Sequence, residues 1–271
     1  MLLVVVYGSR MATELDLGSK HLHATRGDGV LTVVIDRVER RNALTIEMYH
    51  GLKKAAVIAE RDAGIDVLVV TGTREWFCVG GEMGGKHESS MAIDRETDGI
   101  DLLPFVQLER CPKIVVMAVN GVCQGGGLNM TLMSDVAVVS DRATFRAPDL
   151  LRGVADPYLG ARLAARVGVA RAKWLLFTAQ TIPAAEALAM GLVARVVPHA
   201  GLDAAVAETV GWIRETGPEA RAAIKHTINR HLPPIDIPMF TASLSSEDVR
   251  EGFAAFVEKR PPRWSPRARR G

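Results

Sequence analysis

Apolar and polar positions alternate along the chain in segments that predict strands and helices. Val30–Ile35, Asp66–Thr71 and Lys113–Val119 are short, almost continuous apolar runs of strand length. Between the first two runs, apolar residues from Thr45 to Asp62 recur at helical spacing, and Thr45 is a residue type that caps helices. Continuous apolar strands separated by helices predict an α/β core whose sheet is covered on both faces.

The second half of the chain is richer in helical patterns. Asp135–Ser140 and Val193–Val197 read as further strands. Residues 1–24 show no lasting periodicity, so we expect the N-terminus to be disordered and order to begin near Val30. Helical spacing is found at 128–133, 158–178, 183–190, 202–215, 218–231 and 240–258. The pattern therefore predicts an α/β core followed by a helical C-terminal appendage.

Composition restricts the class of protein. With 48% hydrophobic and 24% charged residues, the 271-residue chain has the composition of a folded globular protein. Five of its 33 basic residues lie between Arg260 and Gly271, where no acid occurs, so the rest is slightly acidic despite a net charge of +2. We expect no nucleic acid partner, because such binding needs clustered Lys and Arg. No apolar run is long enough to span a membrane.

The cysteines give no indication of a metal site or of structural disulfides. The three cysteines are an odd, sparse set without metal-ligand spacing. We therefore expect no metal site and a reducing, cytoplasmic location.

Two glycine-rich loops follow predicted strands. They are Trp76–Met83 (WFCVGGEM) and Asn120–Gly127 (NGVCQGGG), and the second loop opens the short helix pattern. Glycines let the backbone turn sharply and expose its N–H groups, and the first amides of a helix have no partner within the helix. Two such amides that converge on one oxygen form an oxyanion hole.

Five segments in order resemble the crotonase, or enoyl-CoA hydratase/isomerase, superfamily. They are Arg41–Leu44 (RNAL), Phe77–Met83 (FCVGGEM), Asn120–Met130 (NGVCQGGGLNM), Ala147–Asp149 (APD) and Phe256–Arg260 (FVEKR). The resemblance covers roughly residues 28–264. It implies the α/β crotonase-like (ClpP/crotonase) spiral of ββα units with a C-terminal helical trimerisation region.

The resemblance also implies an organisation of the chain. We expect an N-terminus at 1–24, a spiral core with the acyl-CoA site at 25–210, an oligomerisation region at 211–260 and a basic tail at 261–271. Relatives assemble through the C-terminal helices as trimers, often paired as hexamers, so we expect self-association. The tail is most simply a solvated terminus.

The family's oxyanion donors fall on Gly81 and Gly126 of this sequence. In the family, these amides hold the thioester carbonyl of an acyl-CoA. Stabilising that oxygen as an enolate acidifies the α-carbon and activates the β-carbon, so one hole serves hydration, isomerisation, hydrolysis or dehalogenation. The resemblance therefore implies an acyl-CoA substrate and no further cofactor.

The acid/base residues depart from those of typical hydratases, which carry two glutamates. Asn129 stands at the first position and Asp149 at the second. An amide does not exchange a proton near neutral pH, so Asn129 is expected to orient water or the acyl chain. Asp149 keeps a carboxyl group, about 1.5 Å shorter in reach than Glu, and is the principal candidate for proton transfer.

Asp156 has two interpretations. Its place twelve residues before Gly168 resembles the position of a catalytic aspartate in dienoyl-CoA isomerases and in the chlorobenzoyl-CoA dehalogenase. An Asp before Pro157 at the start of a helix is equally an ordinary N-cap. If Asp149 and Asp156 share a pocket, their like charges should move their pKa values apart.

These residues favour an isomerase or an atypical lyase over standard hydration. The alternatives are a thioester hydrolase or dehalogenase-like enzyme that uses Asp156, and a non-catalytic member of the fold that binds acyl-CoA or RNA. For Lys86 and Lys259 a solvated surface charge is an equal alternative to a CoA contact. The residues that the resemblance assigns to CoA are Arg41, Ala43, Leu44, Gly80, Glu82, Met83, Lys86, Phe256 and Lys259.

Overall fold

The computed structural model describes residues 12–82 and 103–268. The strands in these ranges are β1 (Thr13–Leu15), β2 (Leu22–Gly27), β3 (Val30–Ile35), β4 (Val67–Gly72), β5 (Trp76–Cys78), β6 (Ile114–Val119), β7 (Val122–Gln124), β8 (Val136–Ser140), β9 (Thr144–Arg146), β10 (Ile182–Pro183) and β11 (Arg195–Val197). The helices are α1 (Ile46–Arg61), α2 (Phe105–Arg110), α3 (Gly126–Met133), α4 (Pro157–Val167), α5 (Val169–Thr178), α6 (Ala184–Ala189), α7 (Leu202–Arg214), α8 (Pro218–Asn229), α9 (Ile237–Leu244) and α10 (Glu247–Val257).

The strands form two sheets, and from β4 to β9 successive strands along the chain add alternately to one sheet and the other. The larger has the order β1-β2-β3-β4-β6-β8-β11 and the smaller β10-β9-β7-β5. From β4 onward, each long strand of the first sheet is followed by a short strand of the second and then by a helix. Strands β3, β4, β6, β8 and β11 are parallel, and so are β5, β7 and β9. The predicted spiral of ββα units is confirmed.

The continuous apolar runs arise because both faces of the large sheet are covered. In β4, Leu68 and Val70 belong to the main core, which contains buried residues of α1. Val67 and Val69 face the opposite way, into a second cluster with Val206 and other residues of α7. Successive strand residues point to opposite faces, so a strand buried on both sides carries no polar alternation.

Order begins earlier than the sequence predicted. Strand β1 lies within residues 1–24, which were expected to be disordered. Strand β2 begins in the same segment at Leu22 and pairs antiparallel with β3 along its full length, from Leu22 opposite Ile35 to Gly27 opposite Val30. The polar residues His23, Thr25 and Arg26 interrupt the apolar pattern of β2, so the sequence alone does not show a strand here. The strand forms because it pairs with β3.

The expected boundary between residues 210 and 211 falls inside a helix. Helix α7 runs through it, and Val206 and Val210 are buried against the sheet. This helix therefore belongs to the core.

The predicted helical segments 158–178 and 240–258 are each divided into two helices in the structure. Gly168, with φ of +78°, separates α4 from α5. Ser245 and Ser246 separate α9 from α10, and the Ser246 side chain accepts a hydrogen bond from the Val249 N–H. The apolar helical pattern continues through both breaks, but the glycine and the serine residues end the helices there.

The C-terminal helices are anchored to the core by polar contacts. Lys225 of α8 lies 2.6 Å from Asp135 Oδ2 in a buried ion pair, and Asn229 donates to the Glu109 carbonyl. At the end of α10, the Arg260 guanidinium pairs with Glu251 and holds the pKa of that carboxyl at about 2. The basic tail thus starts from a fixed point. Within residues 12–82 and 103–268, no helix is both long and apolar enough to cross a bilayer.

Candidate active site

The first glycine-rich loop is fastened to the segment Arg41–Leu44. The Leu44 N–H donates to the Gly80 carbonyl and the Glu82 N–H donates to the Leu44 carbonyl, both at 2.8 Å. These two bonds form a parallel bridge between Leu44 and Gly81. Neither of these two bonds uses the Gly81 N–H.

Asn42 is the residue that holds this junction together. Its side-chain oxygen accepts from the Arg37 N–H at 2.8 Å, and its Nδ2 donates to the Trp76 carbonyl at 2.8 Å. Both Arg41 and Asn42 adopt a φ of +57°, so the backbone turns tightly here. Sequence reasoning used the segment for its resemblance but did not identify this positioning role.

Several residues assigned to CoA have contacts within the chain. Arg37 donates to Glu82 Oε1 at 2.9 Å and to the Ala43 carbonyl at 3.0 Å. The Arg41 guanidinium lies 5.3 Å from the centre of the Trp76 ring. Glu82 and Ala43 therefore shape the first loop.

The three glycines of the second loop have different roles. Gly125 has φ of +49°, and it precedes α3. A Cβ on Gly127 would lie 2.3 Å from the Cys78 carbonyl oxygen, so only glycine lets α3 pack on β5. Gly126 is the first residue of α3, and its N–H therefore has no acceptor within the helix.

The two loops meet at these glycines. A Cβ built on Gly80 would lie 3.1 Å from the Gly126 nitrogen and 3.5 Å from the Gly125 Cα. A Cβ on Gly81 would lie 3.0 Å from the Tyr49 hydroxyl oxygen, and one on Gly126 would lie 2.9 Å from the same atom. The structure thus brings together the two predicted donor residues, Gly81 and Gly126, around one small space.

Asp149 lies beside this space. It begins the 3-10 helix Asp149–Arg152, and its Oδ1 is 3.6 Å from a Cβ built on Gly125. Its Oδ2 is buried and has no hydrogen-bond partner among the described residues. An enclosed carboxyl oxygen without a donor is costly unless the group is protonated or meets a ligand.

Asp156 is an N-cap in this structure. Its Oδ1 accepts from the backbone N–H groups of Tyr158 at 2.8 Å and Leu159 at 3.0 Å, at the start of α4. Its Oδ2 accepts from Asn129 Nδ2 at 2.6 Å. The cap interpretation is confirmed, and the carboxylate has both oxygens engaged. The catalytic interpretation of Asp156 stays a prediction.

Asn129 connects the aspartates to the second loop. It lies on α3, is buried, and turns its amide nitrogen to Asp156. Its side-chain oxygen is buried without a donor among the described residues. This oxygen is therefore available to accept a hydrogen bond from a water or a ligand hydroxyl.

The two carboxyl groups influence each other's titration. Burial, and after it the nearby charge of Asp156, raises the pKa of Asp149 to about 8. Burial also raises the pKa of Asp156, while the hydrogen bond from Asn129 opposes that change. An Asp with a pKa near neutrality exchanges a proton readily, as a general acid or base must.

The cysteine of the first loop is not a nucleophile. Burial raises the pKa of the Cys78 thiol to about 12, so it stays protonated at neutral pH. Reactive cysteines are thiolates with lowered pKa values. The chemistry of the site therefore rests on backbone amides and on carboxyl, amide and hydroxyl groups.

The remaining assigned residues are less central. Met83 and Lys86 lie outside the described residues. Phe256 is 43% exposed on α10, and the Arg152 guanidinium lies 4.3 Å from its ring centre. Lys259 is exposed just beyond α10 with φ of +54°. Tyr49 was missed, although its position five residues after Leu44 on the buried face of α1 was a usable signal.

These features define a class of site: a candidate oxyanion hole beside one titratable carboxyl group, on a spiral of ββα units. The family model for enoyl-CoA hydratase/isomerase matches residues 25–267. The chain therefore belongs to the enoyl-CoA hydratase/isomerase family of enzymes, as the crotonase resemblance predicted.

Individual relatives agree with this assignment. The chain is 32% identical over 252 residues to a probable enoyl-CoA hydratase of Mycobacterium leprae, covering 89% of this chain and 97% of that protein. It is 32% identical over 240 residues to the short-chain-enoyl-CoA hydratase of Clostridium acetobutylicum, covering 85% and 92%. A solved enoyl-CoA hydratase from Mycobacterium avium subsp. paratuberculosis is similar with a TM-score of 0.79 at 29% identity, covering 90% and 98%.

Proposed function

We propose that this chain processes an acyl-CoA thioester through an enolate, which the backbone amides of Gly81 and Gly126 stabilise. Asp149 transfers the proton, and the reaction is an isomerisation or an atypical lyase reaction in preference to standard hydration. Coenzyme A enters as part of the substrate, and no further cofactor is required. The observation that carries the proposal is the meeting of the two glycine loops beside a carboxyl group that titrates near neutrality.

The two amides suit a developing negative charge. The Gly126 N–H lies at the N-terminus of α3, where the helix dipole favours an anion. The loop that carries Gly81 is fixed by the Leu44 bridge, so the donor needs little reorganisation during the reaction. A preorganised donor of this kind typically contributes about 10²–10³ in rate.

A single free carboxyl group favours isomerisation. Asp149 has an oxygen without a partner, whereas both oxygens of Asp156 are engaged. Moving a double bond requires one base that removes a proton from one carbon and returns it to another. Asp149 alone supplies this cycle, while the two-glutamate hydration of typical hydratases has no counterpart here.

The lyase alternative is favoured by the free oxygen of Asn129. This buried acceptor and Asp149 Oδ2 both lack donors among the described residues. A water or a β-hydroxyl group of a substrate would satisfy such acceptors. In water removal, Asp149 would take the α-proton and pass it to the departing β-hydroxyl group, which leaves as water; in water addition, it would take a proton from the water and deliver it to the α-carbon, while Asn129 orients the oxygen in both directions.

A substrate panel tests the proposal. Purified protein is given 2-enoyl-, 3-enoyl- and 3-hydroxyacyl-CoA thioesters of several chain lengths, and conjugation, double-bond position and CoA release are followed in D₂O. We expect interconversion of the 2- and 3-enoyl thioesters with solvent deuterium incorporated. CoA release would instead support the hydrolase alternative. Binding without turnover of any thioester, unchanged by Asp149→Ala, would support the non-catalytic alternative and contradict the proposal.

Paired variants of Gly126 test the hole itself. Gly126→Pro removes the N–H at the first helical position, which tolerates proline. Gly126→Ala is the matched control, because it adds a Cβ but keeps the N–H. We expect Gly126→Pro to lower kcat at least about 10²-fold further than Gly126→Ala, with the oligomer retained. Equal activities would show that the Gly126 amide does not hold the oxygen.

The remaining expectations belong to the same proposal. CoA contacts from Arg41, Lys86, Phe256 and Lys259, the last two across a subunit boundary, follow from the family resemblance. Self-association as a trimer or hexamer follows from it as well, whereas the proposed cytoplasmic location follows from the sparse, unpaired set of cysteines. Charge-neutral substitutions at each cation, with the acyl-CoA dissociation constant measured at low salt, separate phosphate contacts from solvated charges.

A further inference from the structure

Tyr49 points its hydroxyl at the meeting point of the two glycine loops. It lies in the first turn of α1, which the Thr45 side chain caps through the Met48 N–H. The Tyr49 ring is buried and packs edge-on against Phe105, with ring centres 6.1 Å apart and an interplanar angle of 88°. The helix and the ring contact fix the direction of the side chain.

The hydroxyl is a neighbour of both predicted donors. Its oxygen is 3.0 Å from a Cβ built on Gly81 and 2.9 Å from one built on Gly126. A Cβ lies about 1.5 Å from its Cα, so the hydroxyl is within about 4.5 Å of both α-carbons.

We propose that Tyr49 is a further catalytic residue, whose O–H donates a third hydrogen bond to the thioester oxygen held by the amides of Gly81 and Gly126. This inference rests on the function proposed above, since it requires an acyl-CoA carbonyl in the hole. The third donor comes from a helix, whereas the other two come from loops.

The protonation state of Tyr49 suits a donor. Burial raises the pKa of its hydroxyl well above the ordinary value, and negative charge on Cys78, Asp149 or Asp156 raises it further. The group therefore keeps its proton at neutral pH, also when Asp149 is ionised. A neutral hydroxyl stabilises a developing enolate without adding a charge to the buried site.

The position of Tyr49 also explains the glycines. Any side chain at residue 81 or 126 would begin at about 3 Å from the hydroxyl oxygen, closer than carbon and oxygen normally approach. Glycine at both positions keeps the hydroxyl beside the amides.

Tyr49→Phe tests the proposal, because it removes the O–H and keeps the ring. We expect kcat to fall about 10²-fold with KM changed less than about threefold. Raman difference spectra of a bound unreactive acyl-CoA thioester report polarisation of its carbonyl. The carbonyl band should move to lower frequency in the wild-type enzyme and return part of the way in Tyr49→Phe. Tyr158→Phe removes a hydroxyl from the same aromatic cluster and should leave the band in place.

The outcomes separate this inference from the proposed function. An unshifted carbonyl band in the wild-type enzyme would contradict the oxyanion hole itself. A shifted band that is identical in Tyr49→Phe would leave the hole standing and overturn the role of Tyr49, even if kcat fell. If Tyr49→Phe does not fold, 3-fluorotyrosine is incorporated into a Tyr7→Phe, Tyr158→Phe chain. The stronger donor should shift the band further, and an unmoved band would overturn the proposal.

Discussion

At the scale of single residues, Asp149 and Asn129 depart from the glutamate pair of typical hydratases, and the structure gives each a distinct environment. Asp149 has a buried oxygen without a hydrogen-bond partner among the described residues and a pKa raised to about 8, whereas the Asn129 amide nitrogen donates a hydrogen bond to Asp156. The sequence analysis selected Asn129, Asp149 and Asp156 as candidate site residues. It left open whether Asp156 is a cap, because that depends on which amides lie within reach of its oxygens.

Asp149 should make both activity and stability depend on pH. Its folded pKa of about 8 exceeds the ordinary value of 3.8 for an aspartate, so the native state binds more protons between these values. The contribution of Asp149 to stability is therefore fully present below the unfolded pKa and is lost as the pH rises towards the folded one. We expect Asp149→Asn to flatten the decline in unfolding free energy between about pH 5 and 8, measured by urea denaturation.

The same variant should lower kcat by about 10²–10⁴, the usual contribution of a general acid or base. Asp62→Asn is the control, because Asp62 lies on the surface at the end of α1 and pairs with Arg26. It should leave kcat unchanged. A pH–rate profile that keeps its limb near pH 8 in Asp149→Asn would exclude Asp149 as the titrating group.

Gly126→Ala should be destabilising because of Tyr49. The new Cβ would lie 2.9 Å from the Tyr49 oxygen, and its next contacts are ordinary, at 3.4 Å to Gly80 and 3.6 Å to Phe105. We expect a loss of about 1–3 kcal/mol of unfolding free energy, as for overpacking. In a Tyr49→Phe background at least half of this loss should disappear. Additive losses in a double-mutant cycle would mean that the two residues do not clash.

At the scale of elements, the 3-10 helix that carries Asp149 is held from outside by α10. A Cβ on Gly252 would lie 2.3 Å from the Arg152 carbonyl oxygen, and one on Gly153 would lie 2.3 Å from that of Asp248. Phe256 adds its contact with the Arg152 guanidinium. The C-terminal segment that resembles the family's CoA edge thus also contacts the 3-10 helix of Asp149, the proposed proton-transfer residue of the same chain.

Gly252→Ala should consequently disturb the active site from a distance. The methyl group must push the 3-10 helix away from α10, so we expect lower thermal stability and a several-fold fall in kcat with a shifted pH limb. Gly211→Ala is the matched control, since it lies in α7 with no atom within 4 Å of the new Cβ. It should gain up to about 1 kcal/mol from helix propensity. An unchanged pH–rate profile in Gly252→Ala would show that α10 does not position Asp149.

At the scale of the whole molecule, large apolar side chains remain exposed on the helices of the second half. Phe177 of α5 is 71% exposed, Trp212 of α7 58% and Ile224 of α8 61%. Ile224 lies in the C-terminal helical region from which the sequence analysis expected self-association, and within the described chain it packs on little. Exposed apolar surface of this extent is typical of protein interfaces.

We predict that the protein self-associates through these helices. Sedimentation velocity should give a mass several times that of the 29.3 kDa chain. Phe177→Glu should shift the distribution towards smaller species, because a charge replaces an exposed apolar side chain. Glu215→Gln, an exposed polar change just beyond α7, is the control and should leave the distribution unaltered. A monomer at micromolar concentration would contradict the prediction.

The amino-acid sequence by itself determined the strands that are buried on both faces, most helices, the glycine loops and which polar residues are candidates for the site. Those features depend on local periodicity and on residue chemistry, which a sequence displays directly. The tertiary structure decided the rest. The three-residue strands β5, β7 and β9 are too short to show a period, and β2 is held by its pairing with β1 and β3. The cap at Asp156, the raised pKa of Asp149 and the aim of Tyr49 arise from neighbours far along the chain, because burial and distance exist only once the chain has folded.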